Sequence, residues 1–294
     1  MPVLAVDEDL RTDQVEALMR QAAAQPRDAP VLFMVHGFRY APGAEGADPH
    51  RSLYSLAPSL SGPRVLSWPQ HMGIRAEGRG LAVGFGWDGL GGLWRARRNA
   101  GRAGVALGRL AAAVLAQRPD LRIGFLAHSL GARTVLAAIA RLPAGTASRA
   151  VLMAPSVSRA AAWRALGSPA GRTAAVLNVS GRENLLFDVL TELTGGAAPF
   201  TALGRGLGRA APGWADLRID DAGHAAGLAA LGFRLAPPSR RVCHWSVFLR
   251  PGLFPLYRAF LVEPAPLSLA ALRDALRDRR PAGATRRLPD GQPA

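Results

Sequence analysis

The chain has 294 residues, 49% hydrophobic and 19% charged, with a formal net charge of +15; it is long enough to bury a sizeable core, and its composition excludes wholesale disorder. All 36 basic residues are arginine, a coding bias more than a nucleic-acid signature, so the charge reads as solvated surface that still attracts anionic polymers, membranes or acidic substrates at low salt. The single cysteine, Cys243, excludes an intrachain disulfide and a cysteine-rich zinc cage.

Short apolar runs alternate with longer helical patterns from the N-terminus onward, as in a mostly parallel sheet of about eight strands covered by helices on both faces. The predicted strands are "PVLAV" (2–6), "PVLFMV" (30–35), "RVLSW" (64–68), "LAVGFGW" (81–87), "LRIGFL" (121–126), "RAVLMA" (149–154), "TAAVLNV" (173–179) and "DLRID" (216–220). Most carry apolar residues at both parities, as strands buried on two faces do. Helical spacing marks 12–24 and 92–117, and 131–141 must be a helix if the chain is to cross back over the sheet. Residues 39–50 are a Gly/Pro-rich loop, and 195–215 read as a flexible insertion in a single domain over 1–276. The Arg-rich tail 277–294 has no apolar periodicity and is expected to be disordered. The apolar run at the N-terminus is too short for a signal peptide, and no stretch approaches the roughly 20 residues that cross a bilayer. A soluble cytoplasmic protein is the expectation.

The first chemical signal is "AHSLG" at 127–131. A strand runs into Ser129 and a helix starts at once, with small residues, Ala127 and Gly131, two before and two after the serine. A nucleophile elbow needs that room; the usual pattern is G-x-S-x-G, and alanine at the first small position is a mild departure. The alternative is a serine that merely caps the helix. In an elbow, the Leu130 N–H at the helix start can stabilise an oxyanion. "VHGF" at 35–38 follows a strand end, and Gly37 lets the chain bend so that the Phe38 N–H faces the same point. His36 reads as the structural member of that turn.

These motifs resemble the alpha/beta-hydrolase superfamily. More narrowly, "HGFRYAPGAEGADPHRSLYSL", "SWPQHMGI", "GFGWDGLGGLW" and "AHSLGAR" resemble a group of uncharacterised bacterial alpha/beta hydrolases over about residues 30–262. The resemblance implies an alpha/beta-hydrolase fold and the chain order nucleophile, acid, histidine, with the acid and histidine on loops after late strands. Glu183 in "SGRENLLFD" then stands first for the acid and Asp188 second; Ser156 occupies a position in "APS" where similar hydrolases carry aspartate, and Asp216, Asp220 and Asp221 are outsiders. Of His36, His50, His71, His128, His224 and His244, the resemblance favours His244, ahead of an amphipathic C-terminal helix. His224 reads as an exposed or helix-start histidine.

The expected chemistry is a Ser129–His244–Glu183 serine hydrolase that cleaves a carboxylic ester or thioester through an acyl-enzyme, with Phe38 and Leu130 as oxyanion donors and no metal or cofactor. The expected partner is a small acyl substrate, with no specific nucleic acid and with peripheral contact to anionic membrane left open. Tyr40 and Trp245 are candidate substrate-binding residues, and Phe38, Trp68, Trp87 and Phe200 could line an apolar pocket, although core packing explains such aromatics as well. The competing class is a hydrolase-fold binding protein without catalysis. A weaker reading assigns anionic lipid or nucleic-acid binding to Arg273, Arg277, Arg279, Arg280, Arg286 and Arg287.

Overall fold

In a computed structural model that describes residues 2–60, 62, 65–75, 78–195, 198–238 and 241–277, strands and helices alternate along the chain. They run β1 (Val3–Asp7), α1 (Thr12–Ala23), β2 (Pro30–Val35), α2 (Trp68–His71), β3 (Leu81–Gly86), α3 (Leu93–Gln117), β4 (Arg122–His128), α4 (Gly131–Ile139), β5 (Arg149–Met153) and α5 (Arg159–Gly167). The second half continues through β6 (Ala175–Ser180), α6 (Leu185–Gly195), β7 (Trp214–Arg218), α7 (Ala222–Ala230), α8 (Ser246–Leu249), α9 (Leu253–Leu261) and α10 (Leu269–Ala275). The seven strands form one parallel sheet in the order β1-β3-β2-β4-β5-β6-β7.

Side chains alternate across the strands and so split the core into two layers. Val31, Phe33 and Val35 of β2 join Ile123, Phe125 and Ala127 of β4 on the face packed by α1, α3 and α4. Leu32, Met34 and Leu126 point the other way, against Leu256, Tyr257 and Phe260 of α9. Both parities are therefore apolar, as a sheet covered on two faces requires. Gly104 of α3 lets α4 approach closely, since a Cβ there would sit 2.6 Å from the Thr134 carbonyl oxygen of α4.

Two strand expectations change. The stretch 64–68 adds no strand: Arg64 lies outside the described residues, and 65–67 lead into α2, whose first turn is set by Ser67 capping the Gln70 N–H at 3.2 Å and by Pro69. A serine cap followed by an early proline favours a helix start over a strand. The last strand begins at Trp214, two residues before the expected 216.

In the 195–215 stretch, Ala202, Leu203, Leu207 and Ala211 are buried, and the Leu203 carbonyl accepts from Asn178 Nδ2 at 3.0 Å. Arg273 donates to the Pro212 carbonyl and Arg277 pairs with Asp274; Arg279, Arg280, Arg286 and Arg287 of the expected disordered tail lie outside the described residues. Among the described residues no helix is long and apolar enough to cross a membrane.

Candidate active site

The C-terminal ends of β2, β4, β5 and β6 converge at one edge of the sheet, the place where open α/β sheets bind ligands. Ser129 follows β4 directly and holds φ 56. A non-glycine residue in the left-handed region costs of order 1–3 kcal/mol and persists only where surroundings over-determine it. Here the Ser129 N–H donates to the Met153 carbonyl at 2.9 Å, and its carbonyl accepts from the Ser156 N–H at 3.1 Å. The loop after β5 thus grips the turn from both sides, itself strained at Ala154 with φ 45.

The small neighbours have steric reasons. A Cβ on Gly131 would lie 2.5 Å from both the Val35 and His36 carbonyl oxygens, so a side chain there would drive α4 off β2. Ala127 is fully buried in the sheet between Val35 and Leu152. On the opposite side of the serine, a Cβ on Gly37 would lie 2.8 Å from the Ser129 Cβ. The backbone after β2 therefore passes directly over the serine, and only glycine permits that approach. Among the described residues, neither the Phe38 nor the Leu130 N–H has an acceptor.

His36 secures the Gly37 turn. Its Nε2 accepts from the Trp87 N–H at 3.1 Å, so Nδ1 carries the proton and donates to the Gly37 carbonyl at 2.8 Å. Its ring stacks on Trp87 at 5.1 Å, and burial holds its pKa down to about 3, so it stays neutral. His128 likewise stays neutral, pushed down to about 4 by burial, and donates from Nε2 to the His244 carbonyl at 3.1 Å. His128 is thus a support for the backbone of His244. His224 starts α7, where its N–H is capped by Asp221 and its Nδ1 accepts from the Arg218 N–H.

His244 lies just before α8, buried, with its ring stacked on Phe187 at 4.4 Å and edged by Trp245 at 5.7 Å. Burial, and then the neighbouring His128, hold its pKa well below the ordinary histidine range. Its Nδ1 lies 2.6 Å from Asn184 Oδ1. Asn184 Nδ2 in turn donates to Asp188 Oδ1 at 2.8 Å. When Asp188 is ionised, that second bond fixes which end of the amide faces the imidazole: the oxygen faces it, so Nδ1 is the donor and Nε2 keeps its lone pair. This is the tautomer a general base needs.

Among the described residues Glu183, the expected acid, makes no hydrogen bond to the imidazole: in the turn Arg182–Asn184 after β6 its carboxylate accepts from the Ser246 hydroxyl, and its Oε1 is buried without a partner. Its carbonyl also accepts from the Cys243 N–H at 2.9 Å, so Glu183 ties down the loop that carries His244. Asp188 is one amide further out. Buried under Gly204, where an added Cβ would collide with its carboxylate, it has its pKa pushed up to about 7 by burial against the pull of Arg205. Asn184, an amide where a carboxylate is expected, is not among the expected site residues; its signal in the sequence is the i, i+4 pair with Asp188.

Ser129 Oγ lies 3.2 Å from Ser156 Oγ, and among the described residues no hydrogen bond joins it to His244. Of the candidate substrate-binding residues, half-buried Tyr40 packs near His36 at 5.7 Å and Trp245 edges the imidazole. Trp68 and Trp87 are fully buried and belong to the core, whereas Phe200 is exposed under Arg205.

A parallel sheet covered on both faces, with a strained serine turn leading from β4 into α4, is the alpha/beta-hydrolase architecture. No family model matches the chain, and no curated protein does. A search of solved structures finds a likeness to Trichoderma reesei cutinase in complex with a C11Y4 phosphonate inhibitor, at 16% identity and a TM-score of 0.31, over 62% of this chain and 84% of that one.

Proposed function

We propose that the protein is a serine hydrolase that cleaves a carboxylic ester or thioester through an acyl-enzyme on Ser129. The observation that carries this reading is the strained Ser129 turn with two unpaired N–H groups, Phe38 and Leu130, on its flanks. Strain of this kind is retained where it positions a reacting group. His244 Nε2 takes the Ser129 proton as Oγ attacks the carbonyl carbon, and the two N–H groups receive the oxyanion. The imidazolium returns the proton to the leaving alkoxide or thiolate, and water then attacks the acyl-enzyme with His244 again as base.

In this reading the orienting group is Asn184, with Asp188 behind it, while Glu183 fixes the loop through Ser246. Ser129 must turn its hydroxyl from Ser156 toward His244 for this transfer, and catalytic hydrogen bonds often tighten only with substrate bound. A panel of p-nitrophenyl esters and acyl thioesters of increasing chain length tests the proposal. Turnover by the wild type and none by Ser129→Ala is the expected result; no turnover of any member by folded wild type counts against it.

A second reading, a binding protein on a hydrolase fold, is favoured by one observation: the serine pairs with Ser156 while an amide, not a carboxylate, faces the imidazole. Under that reading an acyl ligand binds equally well to the wild type and Ser129→Ala and is released uncleaved from both.

A further inference from the structure

The helix α6 is turned inside out. Its polar residues Asp188, Thr191 and Glu192 are buried, whereas Leu185, Leu186, Val189, Leu190 and Leu193 are exposed, Leu186 to 63% and Leu193 to 74%. Positions 185, 186, 189, 190 and 193 share one face of a 3.6-residue helix. The inward polar groups are satisfied there: Asp188 accepts from Asn184, Glu192 from the Ala202 N–H and Arg205, and the Thr191 hydroxyl donates to the Phe187 carbonyl. The outward leucines have no such reason to be where they are, and each costs free energy in water.

Two further apolar side chains are exposed near the ends of the helix. Val242 is 59% exposed beside Glu183, whose carbonyl accepts from the next residue, Cys243. Phe200 is exposed two residues from Ala202, which Glu192 holds. Two arginines stand at the rim: Arg182, whose side chain is 89% exposed although its Nε pairs with Asp220 at 3.4 Å, and Arg241, exposed next to Val242; the two acids of the helix face inward. Residues 278–294 offer no cover by composition, since their one large apolar residue is Leu288.

We propose that this face of α6 lies on an anionic phospholipid surface, with Leu185, Leu186, Val189, Leu190 and Leu193 in the headgroup–acyl boundary and Arg182 and Arg241 on lipid phosphates. A helix with one apolar face and a basic rim lies in that interface plane. A second copy fits poorly. The 11 residues of α6 make a strip of about 16 Å by 10 Å, far short of the roughly 800 Å² per partner of a stable interface, and each copy brings a net charge of +15. The proposal stands on this surface alone and does not need hydrolysis.

The test is co-sedimentation of the full chain, carrying Ser129→Ala so that no lipid is turned over, with phosphatidylcholine vesicles made with and without phosphatidylglycerol. We expect pelleting with the phosphatidylglycerol vesicles and at least about 30-fold weaker partitioning when Leu186→Asp and Leu193→Asp are combined. Leu186→Ser with Leu193→Ser, checked by circular dichroism for native fold, should weaken binding in the same direction. Binding unchanged in both double variants would overturn the proposal, since charge or the Arg-rich tail would then be sufficient. So would a failure to pellet, including the case in which sedimentation shows a dimer that the same variants dissociate.

Discussion

Replacing Asp188 with asparagine removes one negative charge and little volume, and its consequences depend on pH in a way the structure fixes. Burial raises the Asp188 pKa from 3.8 to about 7. Between those values the folded protein holds a proton that the unfolded chain has released, so Asp188 lowers stability as pH rises from about 4 to about 7. From about pH 5 to about pH 8 the wild type should lose about 2–3 kcal/mol on this account, two pH units at about 1.4 kcal/mol each. Asp188→Asn has no such titration. In guanidinium unfolding followed by circular dichroism, the variant should therefore gain on the wild type by that amount between the two pH values. Activity moves the other way. An ionised Asp188 can only accept, so it forces Asn184 to present its oxygen to His244; a protonated acid or an amide can also donate, and the tautomer is no longer enforced. We expect the wild-type kcat/KM to rise through about pH 7, and Asp188→Asn to be flat there and about tenfold lower at high pH. A stability difference that is the same at both pH values would refute the reasoning, as would a pH step near 7 that survives in the variant.

Asn184→Ala leaves both the His244 Nδ1 and the Asp188 carboxylate buried without their partner, so we expect a loss of about 2–4 kcal/mol in unfolding and a kcat at least tenfold down. Gly37→Ala puts a Cβ 2.8 Å from that of Ser129; ester turnover should fall tenfold or more while the melting temperature drops, because the Phe38 N–H must move with the loop. Ser129→Gly should do the reverse to stability, raising it by about 1 kcal/mol through relief of the φ 56 conformation while abolishing turnover, which thermal unfolding and an ester assay together read.

The parts legible in the sequence were those fixed by near neighbours. The strand 30–35 and the elbow at Ala127, Ser129 and Gly131 follow from runs of apolar or small residues whose meaning is local, and both Gly37 and Gly131 turn out to be demanded by atoms of the facing segment. The stretch 64–68 looked like a strand because Val65, Leu66 and Trp68 are apolar, yet Ser67 and Pro69 set a helix start, and capping outweighed the apolar run. The partner of His244 depends on a contact across 60 residues, and it is the amide of Asn184, beside the carboxylate of Glu183 that chain order alone favours. Ser156, read in the sequence as a missing acid, instead grips Ser129 through its N–H and its hydroxyl. The inverted polarity of α6 was equally hidden. Its pattern of apolar residues is that of an ordinary amphipathic helix, and only the fold shows that Asp188 and Glu192 face inward.

The most direct measurement is the intact mass of the protein after reaction with a fluorophosphonate, followed by peptide mapping. A single adduct on Ser129, absent from Ser129→Ala and formed more slowly by Asn184→Ala, is the result expected of an activated nucleophile with a histidine held by Asn184. Folded wild-type protein that stays unmodified, or a label on another serine that persists in Ser129→Ala, would contradict it.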